Sequence, residues 1–150
     1  MRVLVCDQGG AVSIFIPVPQ PGKTFEQIVA QLVPANAQRL ETTMDKLPPR
    51  DDLMPAWMIG PSADDPVVHN MTKAKAIWKD RMRAARTPLL EALDSESLMS
   101  LEKEDKQAQK DVADKKQALR DVTDDPAIEA AVTITELKAV WPLCLGVPST

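Results

Sequence analysis

Tyrosine is absent from this chain, and its 150 residues include five aromatics: Trp57, Trp78, Trp141, Phe15 and Phe25. With so few large anchors a thick globular core is not expected, and alanine and methionine must do much of the filling. Histidine occurs once, at position 69. Neither a Cys/His metal site nor a Ser–His–Asp nucleophile can therefore be assembled around several histidines. Two cysteines, Cys6 and Cys144, lie near opposite ends with no companion at ligand spacing. Both are expected to be buried apolar residues, and nothing in their placement supports a disulfide between them. No apolar run approaches the ~18 residues that span a bilayer. The opening MRVLVCDQGG is not expected to act as a signal peptide, because its apolar run falls short of the ~7–15 residues required and an acid follows it. A reducing cytoplasm is the expected compartment.

Motifs that carry chemistry are also missing. The pair in QGG lacks the lysine and helix start of a phosphate loop. The many carboxylates sit among lysines on helix faces, with no apolar pocket to split their pKa values for acid–base work. No enzyme, cofactor or metal site is expected. The net charge of −4 disfavours nonspecific binding to nucleic acid. What the chain does have is 44% apolar residues, enough to exclude wholesale disorder.

Thirteen prolines divide unevenly, nine of them before residue 70, and that shift predicts two regions, 1–66 and 67–150. In the first, RVLVCD and AVSIFIP flank Gly9-Gly10 as a β-hairpin. Val3 and Val5 fall on one face, Leu4 and Cys6 on the other, so both faces should be covered. KTFEQIVAQLV reads as a short helix, with Thr24 and Gln27 as a capping box, a stripe of Phe25, Ile28, Val29 and Leu32, and Pro34 as its stop. AQRLETT is assigned a third strand. Residues 45–66 are too rich in proline for regular structure, and Trp57 there is expected to cover an edge of the core, with an exposed recognition tryptophan as the alternative.

In the second region Met71, Ala74, Trp78, Met82, Ala85, Leu89 and Leu93 recur at helical spacing, with Thr72 as cap. Pro88 should kink or restart this helix, Thr87 capping the restart, and Asp94-Ser95 offers a further boundary. Residues 96–121 form a second helix whose heptad positions run through Leu98, Leu101, Asp105, Ala108, Val112, Lys115, Leu119 and Val122. Two of those eight are charged, too many for a coiled coil on its own. Glu102 with Lys106 and Asp111 with Lys115 are expected as surface pairs. A stripe this thin needs a partner, so a helical hairpin follows. Pro126 starts a short helix, Thr133 and Glu136 box the next, and Pro142 closes it, leaving Trp141 placed to clasp the hairpin by burying its ring. Residues 73–86 carry a local +5 and residues 91–105 a local −5, which suggests mutual or intersubunit complementarity between neighbouring helices, with an acidic protein partner as the alternative.

The stretches AIWKDRMRAARTPLLEALDSE and ADKKQALRDVTDDPAI, followed by ELKAVWP, resemble the tail assembly chaperones and tail-fibre assembly proteins of double-stranded DNA bacteriophages. The matching residues are Arg83, Arg86, Leu89, Leu90 and Asp94, then 117–121, then Trp141-Pro142. The front half, with VCDQGGAVSIFIPVP and DKLPPRDDLMPAW, is similar to the start of some members, so the resemblance covers most of the chain. Two departures are a more charged middle helix and a turn at 121–136 in place of a more proline-rich spacer. The resemblance implies a non-enzymatic protein that binds tail or fibre protein during assembly, in the host cytoplasm or within the virion tail.

The expected fold is α+β: a small N-terminal head of β-hairpin plus helix, followed by a C-terminal helical-hairpin arm. Trp57, Arg81, Arg83, Arg86 and Trp141 are the candidate partner-binding residues. The expected partner is a phage tail or tail-fibre protein, with a homo-oligomer as a further possibility and no membrane insertion. The rival functions are a soluble chaperone absent from the virion and a nucleic-acid-binding regulator using the basic helix 73–86.

Overall fold

The computed structural model describes residues 1–148 and has the expected α+β architecture. It divides into two compact units, Met1–Ala74 and the chain from Lys75 onward.

Strand β1 (Arg2–Asp7) is the centre of the first unit, flanked by β2 (Val12–Phe15) and β3 (Arg39–Thr43), both antiparallel to it. The β1–β2 register pairs Leu4 with Phe15 and Asp7 with Val12. Gly9 and Gly10 turn the chain at φ 67° and 87°, left-handed values that favour glycine. The Gly10 N–H donates to the Asp7 carboxylate at 2.7 Å. Because successive side chains of β1 point to opposite faces, Leu4 and Cys6 pack on Val29 and Val33 while Val5 packs on Trp57 and Val67. Both faces are covered, as alternation required.

Helix α1 (Phe25–Leu32) starts in the expected capping box: Thr24 Oγ1 accepts from Gln27 N, and Gln27 Oε1 accepts from Thr24 N. Leu32 is 43% exposed and Val33, just beyond the helix, takes the buried place expected of it. The proline-rich passage is more ordered than its composition implied. Two 3-10 turns, Met44–Lys46 and Met54–Ala56, lead into β4 (Trp57–Ile59), which pairs antiparallel with β5 (Val67–His69). The prolines flank these three-residue strands instead of interrupting them, which is where a residue without an N–H is tolerated. Since β5 pairs with β4, the first unit runs past the expected boundary at residue 66. Burial pushes the Cys6 thiol pKa up.

Helix α2 (Met71–Glu102) is continuous over 32 residues. Asn70, not Thr72, caps it: its Oδ1 accepts from Lys73 N and its carbonyl from Ala74 N. No restart occurs at Pro88 or at 94–95. Pro88 removes the donor for the Ala84 carbonyl, but both residues are exposed, so water can meet that carbonyl. The Thr87 hydroxyl, expected as a cap, bonds back to Arg83 O at 2.9 Å. The break falls instead at 103–105, where Glu104 takes φ 52° and Asp105 caps α3 (Lys106–Asp121) through Ala108 N.

Four cross-links show that α2 and α3 run antiparallel. Arg86 reaches Leu119 and Arg120, Asp94 reaches Lys116, Glu96 reaches Lys115, and Ser100 reaches Gln109. The expected heptad line therefore fails before residue 108. Asp105 is a cap, and Leu98 and Leu101 are 63% and 56% exposed. The buried line of α2 runs Ala74, Trp78, Met82, Leu93, Ser100. The expected surface pairs also rearrange: the helix break separates Glu102 from Lys106, Asp111 accepts from Gln107, and Lys115 turns to Glu96. The basic and acidic stretches lie on one helix and so cannot face each other as neighbours. Past a 3-10 turn (Val122–Asp124) come α4 (Pro126–Ala130), capped by Asp125, α5 (Ile134–Ala139), boxed by Thr133 and Glu136, and a final 3-10 turn (Leu143–Leu145). Cys144 in that last turn is exposed, against expectation, and both cysteines are free.

Gly60 marks the tightest point of the β4–β5 connection. Its N–H donates to Pro66 O at 2.8 Å, and a Cβ built there would lie 1.9 Å from Asp65 O, a backbone atom. Gly60→Ala is expected to destabilise the first unit by about 2 kcal/mol or more, read as a lower urea midpoint. A variant that melts with the wild type would refute this packing.

Candidate interaction surface

The five candidate residues separate into three environments. Trp57 is 2% exposed, its ring edge-on to His69 at 6.5 Å. It is a core residue of the first unit, which corrects its assignment to partner binding. The rim of the core could not be told from its centre in the sequence, because β4 had not been expected.

Arg81 and Trp141 come together around Trp78, a residue not among the candidates. Trp78 is 3% exposed, and its indole N–H donates to Val140 O at 2.8 Å. The Trp141 ring meets it edge-on at 5.5 Å, with an interplanar angle of 68°. The Arg81 guanidinium lies 5.3 Å from the Trp78 ring centre and 5.8 Å from that of Trp141, a geometry in which a cation is drawn to the negative ring faces. Trp141 in turn donates to Gly146 O at 2.9 Å. The clasp expected from the terminal Trp-Pro is present, and its receptor is a second tryptophan.

Arg83 and Arg86 differ. Arg83 is exposed and paired with Asp80 at 2.5 Å, a contact worth little in water. Arg86 donates to Arg120 O at 2.7 Å and to Leu119 O at 3.4 Å. Carbonyls in the last turn of a helix lack their i+4 donors, so Arg86 caps α3 from the neighbouring helix and sets a cation at its negative end. Lys75 and Lys79 are also engaged within the unit. Lys79 pairs with Glu129 of α4 at 2.6 Å, and Lys75 donates to Glu129 O at 2.7 Å. The hydrogen bond from Lys79 and its charge hold the Glu129 carboxyl below the usual range.

Two features were missed in the sequence. One is an open groove of about 300 Å³ between α2 and α3, walled by Leu89, Ala92 and Leu93 on one side and Ala118 and Leu119 on the other, with Cys144 at one end. A second hollow of about 200 Å³, lined by Met99, Ala108 and Val112 together with Ser100, Lys103 and Asp105, continues it past Glu96, which lines both. The other is the apolar surface of Leu98, Met99 and Leu101 near the α2–α3 turn, each more than half exposed. Leu98 and Leu101 carried a signal, since they fit an apolar period; what placed them outside was the position of the helix break. Among the described residues no group of His, Cys, Asp and Glu is arranged to hold a metal, and no helix is long and apolar enough to cross a membrane.

No protein-family model, curated protein or solved structure matches the chain.

Two substitutions test how the hairpin is held. Arg86→Ala leaves the α3 carbonyls without their charged donor and is expected to cost about 1.5–3 kcal/mol, with Arg86→Lys recovering only part because it lacks the planar fork. Trp141→Ala removes a half-buried ring and its edge contact, an expected loss of about 2 kcal/mol. Urea unfolding checks both, and an unchanged midpoint for either variant would discard its assigned role.

Proposed function

We propose that this chain works by protein–protein contact in the construction of a bacteriophage tail or tail fibre, and performs no catalysis. The observation that carries the reading is the exposed apolar surface of Leu98, Met99 and Leu101 on a hairpin that is closed elsewhere by side-chain staples. Contiguous exposed apolar surface of this kind marks interaction sites. The phage assignment rests on the resemblance at Arg83 to Asp94, at the QALRD stretch and at Trp141-Pro142. Several of these residues are internal fastenings: Arg86 to the end of α3, Asp94 to Lys116, Gln117 to Asp121, Trp141 to Trp78. On this reading the shared residues maintain the hairpin and the apolar surface near its turn selects the partner. The nucleic-acid reading is disfavoured, because Lys75, Lys79 and Arg86 are spent on contacts within the unit.

The test is a tagged chain recovered from cells infected by a phage that encodes it. The wild type is expected to bring down a tail or fibre protein. The double variant Leu98→Lys, Leu101→Lys is expected to lower that recovery about tenfold or more, as loss of an apolar anchor does. Mass spectrometry of purified particles then separates the two forms of the proposal: stoichiometric presence marks a tail component, absence a chaperone that leaves. If no tail or fibre protein is recovered and the particles lack the chain, the proposal is wrong.

A further inference from the structure

The groove between α2 and α3 is a half-filled seam. Leu93, Val112 and Leu119 form its floor, each 8% exposed or less. Above them stand mostly small or partly exposed residues, Ala92, Ala108, Ala118 and Met99, which leave room for another helix at the 8–10 Å separation of packed helices. Near the middle, where the two hollows meet, one acid from α2 faces one base from α3: Glu96 Oε2 lies 3.9 Å from Lys115 Nζ, with both side chains more than half exposed. The pair stands between a hollow whose other lining residues are apolar and one that also holds Ser100, Lys103 and Asp105 toward the α2–α3 turn.

That charge pattern complements itself. When two such hairpins meet groove to groove about a two-fold axis along the helices, α2 of one copy lies over α3 of the other. Each Glu96 then meets the other copy's Lys115, and four charges alternate around the axis. The apolar stretches on either side, Leu89 with Leu119 and Met99 with Val112, meet their own kind at the same levels. A two-fold axis across the helices at that level would instead bring Glu96 to Glu96, a like-charge contact. A foreign helix would need an acid and a base at matching heights; a second copy has them already. Met99 lines the groove and is common to both surfaces, whereas Leu98 and Leu101 lie two and five residues on from Glu96, about 200° and 140° around the helix from it.

We propose that the groove is occupied by a second copy of this chain, giving a parallel, isologous four-helix dimer whose register is set by the Glu96–Lys115 quartet. This does not depend on the tail reading. A dimer covers Met99 and leaves Leu98 and Leu101 open in both copies.

The test is sedimentation equilibrium of the full chain. The wild type is expected to be dimeric at about 100 µM. Glu96→Lys alone puts four lysines around the axis and Lys115→Glu alone puts four glutamates there, so each is expected to weaken association about tenfold or more. Mixing the two single variants restores opposite charges across the axis, and a heterodimer is expected to reform with near wild-type affinity, the behaviour of charge-matched pairs. Ala118→Arg, on the exposed rim one turn from Lys115, fills the trough without removing either member of the pair; it is expected to give a folded monomer and serves if either charge variant loses its helical circular dichroism. A wild type that stays monomeric overturns the proposal. So does a dimer that neither Ala118→Arg nor the charge variants weaken, or a mixture of the charge variants that remains monomeric while both are folded.

Discussion

In the C-terminal unit one indole, that of Trp78, meets three partners with three parts of its surface. Its N–H reaches the Val140 carbonyl, its ring takes the edge of Trp141, and the Arg81 guanidinium lies over it. The constraint behind this economy is the shortage of rings. Two helices with thin apolar stripes bury too little to hold a long connection in place, and helices in proteins owe most of their stability to such packing. A tryptophan on α2 that gathers the segment after α5 closes the chain with one large contact where a richer sequence would use several smaller ones. The polar end of the indole must be satisfied once buried, and Val140 supplies the acceptor because the α5 capping box and Pro142 fix where that short helix begins and stops.

The rest of the hairpin is held by charge and by helix-end chemistry. Arg86 meets the last carbonyls of α3, Lys116 meets Asp94, and Glu129 gathers Lys79 and Lys75. Exposed ion pairs contribute modestly one by one. Their placement at helix ends and crossings matters more, because there they fix direction and register, and the order 86 with 119, 94 with 116, 96 with 115, 100 with 109 leaves no doubt which way α3 returns.

Local rules made much of this visible in advance. The β1–β2 hairpin followed from Gly9-Gly10 and alternation, α1 and α5 from capping boxes, and α4 from Pro126, because each depends on neighbours within a few residues. The clasp of Trp141 was legible for the same reason. What escaped was set by competition over longer distances. Pro88 was expected to kink or restart α2, but proline on an exposed stretch costs less than in a buried one when it is one residue of a 32-residue helix. The true break, at 103–105, has no glycine or proline to announce it and depends on Glu104 accepting a left-handed conformation before the Asp105 cap. Moving the break by a few residues reassigned Leu98 and Leu101 from seam to surface and put both charge blocks on one helix. Trp57 was expected to cover an edge of the core and lies inside it; its assignment to partner binding fails because a strand of three residues has no periodicity to show how deeply it is buried.

The misreading of the heptads and the open groove have one physical source. A stripe built from alanine, valine and an occasional leucine buries a floor but cannot fill the space above it, so Ala92, Ala108 and Ala118 leave a trough where larger residues would have closed the seam within the chain. The same alanines keep α2 and α3 strongly helical, so the trough is held open by rigid walls. The sequence therefore places bulk where the unit must be fastened, at Trp78, Trp141 and Met82, and withholds it along the seam between the helices. A hairpin fastened at the end away from its turn and underfilled along its length is stable enough to fold and still has apolar surface to bury, and that combination is what the proposed assembly role would use.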